Sequence, residues 1–128
     1  MDNSNRKLIR IQKDHNLNEV YAVDDPGAGN ANHEYLVLLP TDKPDVGLAV
    51  PVEIAFQHGP RNEPNSVHGV LDTDLLEIVR DRLKGFQSGE YACRENACAL
   101  THVEEALMWL NKRVTDRAQR GVLGTNEK

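Results

Sequence analysis

Aromatic residues make up only 5% of this 128-residue chain, so whatever core it builds is aliphatic. Basic residues are also in the minority. Fifteen Lys and Arg face twenty Asp and Glu, a net charge of −5 that argues against general binding of DNA or RNA, which needs a basic footprint. There are two cysteines, Cys93 and Cys98, five positions apart on one predicted helix. At helical pitch they point about 140° apart, poorly placed to pair, and no second Cys or His pair follows at zinc spacing. Free thiols and scattered surface histidines are the expectation. No apolar run opens the chain: Met1 to Asn5 are polar and the first apolar pair is Leu8-Ile9. Neither a signal peptide nor a membrane span is expected, which places the protein in the cytoplasm where it is made.

The signatures of catalysis are missing too. No glycine-rich phosphate loop joins a strand to a helix, and there is no nucleophile-elbow motif or metal-binding histidine pair. Asp24-Asp25 and Glu104-Glu105 are adjacent carboxylates, but sequence neighbours point apart on a strand or helix, so they read as solvated surface. No catalytic residue, no cofactor and no metal site is predicted.

What is present falls into a strand-rich half and a helical half. Alternation is weak over residues 7–12, better over 19–23, nearly continuous over 35–39, and returns over 50–57 behind Pro51. The stretches DDPGAGNAN and TDKPDVG between them are dense in turn formers. At the length of a 128-residue chain one domain is expected: a sheet part over 1–57, a loop over 58–70 (HGPRNEPNSVHGV), a helical hairpin over 71–121 and a tail over 122–128. The class is α+β, a small antiparallel sheet capped by a C-terminal two-helix hairpin. Asp72 or Thr73 can cap the first helix. Its apolar stripe is Leu75, Leu76, Val79, Leu83 and Phe86. Leu100, Val103, Leu107, Leu110 and Val114 form the seam of the second.

Asn96 falls on that seam, where an amide must either find partners or serve the hairpin loop from the first turn of the helix. Arg113 and Arg117 are one turn apart and share a face beside the seam, with Arg120 close behind. Two guanidinium groups so spaced can grip a phosphate or pyrophosphate. Basic residues also favour the negative end of any helix. Met108 and Trp109 point about 130° away from the seam, so a further surface must cover them, either the sheet of the same chain or another subunit.

The words DRLKGFQ, YACRENACALTHVEEALMWLNKR, RGVLGT and FQHGP resemble the type 1 Thoeris anti-defence family of phage proteins. Its helical hairpin is shared with phage proteins that neutralise cyclic-oligonucleotide immunity. The resemblance is close over residues 52–125 and loose before them. It implies a sponge in the infected bacterial host, one that binds and holds intact a cyclic ADP-ribose isomer made by a TIR enzyme. It also implies homo-oligomers with pockets at subunit contacts, and cyclic di- or trinucleotides as ligands at separate sites. The residues matching the family's pocket are Phe86, Asn96, Arg113 and Arg117, with Arg61 from the loop after FQHGP. That loop and the tail NEK depart from the family pattern. Two other classes stay open: a phage assembly protein using the hairpin for oligomerisation, and an enzyme that degrades a cyclic nucleotide.

Overall fold

The computed structural model describes residues 5–41 and 49–128. Four strands, β1 (Arg6–Lys7), β2 (Glu19–Ala22), β3 (Glu34–Leu39) and β4 (Val50–Ala55), precede two helices, α1 (Asp72–Gln87) and α2 (Arg94–Gln119). The strands form one sheet in chain order, with each neighbouring pair antiparallel. The α+β class and the order of elements are those expected. The turn expected at TDKPDVG lies, apart from Thr41, outside the described residues.

Register follows from the period-two alternation. Val20, Val37 and Val52 share one cross-strand row, and Ala22, Tyr35 and Ile54 the next row on the same face. Ala22 is fully buried there. Tyr35 meets Phe56 edge to face, with ring centroids 5.6 Å apart.

The strand expected over residues 7–12 stops after Lys7. Leu8 donates a last ladder bond to the Val20 carbonyl, and then the chain turns away. Arg10 donates to the Asn18 carbonyl at 3.0 Å and Gln12 to the carbonyls of Asp14 and His15. Such side-chain bonds offer the backbone another route than a sheet ladder. Ile11 is left 100% exposed.

The segment over residues 58–70 is tied down at both ends. Phe56 bridges to Val70, and His58 exchanges two backbone bonds with Val67 at 2.7 and 2.8 Å. Gly69 is needed at this crossing, since a Cβ there would sit 2.5 Å from the Ala55 carbonyl oxygen.

The first helix begins one residue earlier than the capping pattern indicates. Leu71 holds the N-cap position, and a leucine side chain has no acceptor to offer. The carboxylate of Asp74 instead takes the Leu71 N–H at 2.9 Å, half of a capping box. Asp72 and Asp74 also favour the positive end of the helix. The second helix is capped by Cys93, whose Sγ accepts from the Asn96 N–H at 3.4 Å. The two helices pack antiparallel, with Leu75, Leu76, Leu83, Leu100, Val103, Leu107 and Leu110 of the expected stripes half-buried but Val79, Phe86 and Val114 exposed. Arg80 pins them by reaching Glu104 at 2.8 Å and Glu77 at 3.3 Å.

Among the described elements no strand packs on either helix. Of the two covers expected for Met108 and Trp109, the sheet of the same chain is therefore not used, and Trp109 is 71% exposed. Only Ala22 and Arg117 are buried among the described residues. The surface area is 10172 Å². A compact monomer of 14.3 kDa exposes about 6,800 Å².

Candidate anion-binding site

The last turns of α2 gather the cations. Arg113, Arg117 and the C-cap residue Arg120 come from this one helix end, with Lys112 beside them. The helix closes in a Schellman turn. Val122 N–H bonds the Arg117 carbonyl at 3.0 Å and Gly121 N–H the Ala118 carbonyl at 3.1 Å, with Gly121 at φ 74. A second turn follows, in which Thr125 donates from both its N–H and its hydroxyl to the Val122 carbonyl. The tail therefore folds back over the helix it has just left.

That fold-back surrounds Arg117. Its Nη1 donates to the Glu127 carbonyl at 2.6 Å, and its Nη2 to the carbonyls of Val122 and Thr125 at 2.9 and 3.1 Å. Arg117 is only 8% exposed. Its partners are carbonyl dipoles. No carboxylate lies within ion-pairing distance of Arg117 or Arg113 among the described residues. A covered guanidinium without a counter-charge leaves a local positive potential inside an acidic protein. Nε–H and one N–H of Nη1 have no partner among the described residues.

Arg113, one turn earlier, is exposed and unpaired among the described residues. With Trp109, Lys112, Arg117 and Arg120 it lines a shallow groove of about 360 Å³. Lys112 is partly offset by Asp116 at 3.1 Å, and Arg120 donates to the Lys128 carbonyl at 2.6 Å. The groove thus offers guanidinium donors beside a large aromatic face.

Arg61 is an exposed turn residue of the 58–70 segment. Its neighbour Asn62 touches the tail: the backbone N–H bonds the Gly124 carbonyl at 3.2 Å and Nδ2 the Leu123 carbonyl at 3.4 Å. Three of the five predicted residues, Arg61, Arg113 and Arg117, therefore belong to the same end of the hairpin.

The other two do not. Asn96 is half-buried in the first turn of α2, and its side-chain amide makes no hydrogen bond among the described residues. Phe86 sits at the end of α1, 39% exposed, with the Arg82 guanidinium 5.5 Å from its ring centroid. Asn96 and Arg113 lie on one unbroken helix, seventeen positions and about 25 Å apart. Within the chain the five residues form two groups, one at each end of the hairpin.

Two features were not anticipated. Arg82 belongs with Phe86, and their spacing of four on a helix is a readable signal for a cation–π contact. The histidines are not all scattered: His33 and His58 stack at 3.9 Å with their planes 3° apart, joining the start of β3 to the 58–70 segment. No group of three or more His, Cys, Asp or Glu is placed to hold a metal among the described residues. No helix among them is long and apolar enough to cross a membrane.

Comparison with known proteins centres on the hairpin. Residues 49–115, just over half of the chain, match the model of the Acb2/Tad1 hairpin domain. A protein of Bacillus phage SBSphiJ7 named Thoeris anti-defense 1 is 55% identical over 75 residues, covering 59% of this chain and 52% of the relative. The matched part thus spans about half the length of that relative. With more than half of its length matched, including all of α1 and α2 as far as residue 115, the chain belongs to the Acb2/Tad1 hairpin-domain family.

Proposed function

We propose that this protein is a sponge that binds a cyclic ADP-ribose isomer made by bacterial TIR enzymes, holds it intact and so blocks Thoeris defence in the host cytoplasm. The observation that carries the reading is Arg117, a covered guanidinium with no carboxylate partner among the described residues, beside the exposed Arg113. Such a pair matches a pyrophosphate, which presents several acceptors to planar donors. The name of the phage relative, Thoeris anti-defense 1, supports the biological role.

The rest of the ligand calls for Phe86 against the adenine and Asn96 for directed hydrogen bonds. Because Asn96 stands about 25 Å from Arg113 along α2, and Phe86 lies with Asn96 at the turn end of the hairpin, one pocket requires two protomers. Antiparallel association of two hairpins brings the turn of one to the arginine end of the other. The open surface of the chain and the uncovered Trp109 and Met108 support an obligate homo-oligomer. Cyclic di- or trinucleotides are candidates for a separate site in such an assembly. The exposed Trp109 favours one competing reading, an assembly protein whose arginines only solubilise it.

Calorimetric titration with a panel of cyclic ADP-ribose isomers tests the proposal. Saturable binding of one isomer is expected, weakened roughly ten- to a hundredfold by Arg113→Ala, the span a charge-assisted hydrogen bond carries. Absence of binding to every isomer would sink it.

A further inference from the structure

The contact between Asn62 and the Leu123–Gly124 turn joins two separate stretches of chain, one carrying Arg61 and the other encircling Arg117. The fit is close. Gly124 adopts φ +80, and a Cβ there would lie 2.5 Å from Asn62 Nδ2 and 2.9 Å from its Cγ. The tail in turn supplies every hydrogen bond made by the Arg117 side chain among the described residues. A flexible guanidinium is thereby held in one orientation before any ligand arrives, and the loop that bears Arg61 is anchored to the same turn.

From this geometry we infer that Asn62 and Gly124 are positioning residues for the anion site: together they form a latch that sets Arg117 and tethers the Arg61 loop beside it. The inference rests on the proposed role of Arg117 in binding the messenger and adds what controls it. Preorganising a donor lowers the conformational cost of binding, so disturbing the latch weakens affinity without removing any group that touches the ligand. An alternative role for the same tail is obstruction, with its carbonyls competing against the ligand for the guanidinium. The two roles predict opposite signs.

The test is a binding cycle on the full-length protein, using the cyclic ADP-ribose isomer that the parent binds most tightly. Gly124→Ala and Asn62→Ala are each measured alone and combined with Arg117→Ala, with circular dichroism and sedimentation confirming that fold and assembly persist. Asn62→Ala leaves the backbone bond to Gly124 in place, so it stays informative if Gly124→Ala does not fold. Each single variant is expected to weaken binding about three- to tenfold, the span of a neutral hydrogen bond, and to add nothing once Arg117 is alanine. Unchanged or tighter binding by a folded variant overturns the latch, and so does an equal loss in the Arg117→Ala background. Parent-like binding by Arg117→Ala removes the site itself, a different result from failure of the latch alone.

Discussion

Arg80 Nε and Glu104 Oε2 meet at 2.8 Å across the hairpin, the one ion pair joining α1 to α2 among the described residues. Its place beside the half-buried seam makes it a register pin as well as a charge contact. Glu104, ahead of the smaller contribution of Glu77, holds the Arg80 guanidinium protonated still more firmly than usual. Both side chains remain more than a third exposed, so solvent screens the pair. A double-mutant cycle of Arg80→Ala and Glu104→Ala should give a small favourable coupling at low salt that shrinks at high salt. A coupling that ignores salt contradicts this.

Asp24 gives the sheet an acid-sensitive corner. Partial burial pushes its carboxyl up, but hydrogen bonds from Asn32 and from the backbone N–H groups of His33 and Glu34 outweigh that and hold it below the ordinary value. A carboxyl depressed in the folded state contributes stability that is present above its unfolded pKa and lost as pH falls through the folded one. Acid unfolding followed by circular dichroism should therefore show this contribution disappearing below about pH 4, and Asp24→Asn should already lack it at pH 7. An Asp24→Asn protein with the parent's stability at every pH would refute it.

Arg113 and Arg117 should part company. Arg113 is exposed and makes no hydrogen bond or ion pair among the described residues, so Arg113→Ala should weaken messenger binding with the melting temperature unchanged. Arg117→Ala also frees three tail carbonyls, and should lose binding together with about 1–3 kcal/mol of stability. Differential scanning calorimetry beside the titration checks both. Identical melting curves for the two variants would show that the tail bonds contribute nothing.

Trp109→Glu should break assembly and weaken binding together, because the residue is exposed and lines the arginine groove. Sedimentation of the parent as a monomer at micromolar concentration would refute the obligate oligomer. Loss of assembly with full binding retained would remove the partner from the pocket.

The helices were legible because their apolar residues recur at the helical period, and the hairpin partners followed from the turn between them. Strand ends were less so: nothing in the alternation of residues 7–12 announces that Arg10 and Gln12 will capture carbonyls and end the ladder at Lys7. Asp24 read as solvated surface because its partners lie eight to ten positions away, beyond the reach of local pattern. At the site, residue types were readable and positions were not. Periodicity put Arg113 and Arg117 on one face, yet the tail that covers Arg117 carries no periodic signal. Phe86 and Asn96 share the hairpin turn in sequence and space, but only helix length shows how far they stand from the arginines.

The most direct measurement mixes the protein with a slight excess of the cyclic ADP-ribose isomer it binds, removes free ligand, heat-denatures the protein and identifies what is released by mass spectrometry. Sequestration predicts intact messenger, with free plus released amounts equal to the input over hours. Linear or fragmented product formed over multiple turnovers, or no retention of the messenger at all, would contradict it, the first pointing to an enzyme and the second to an assembly protein.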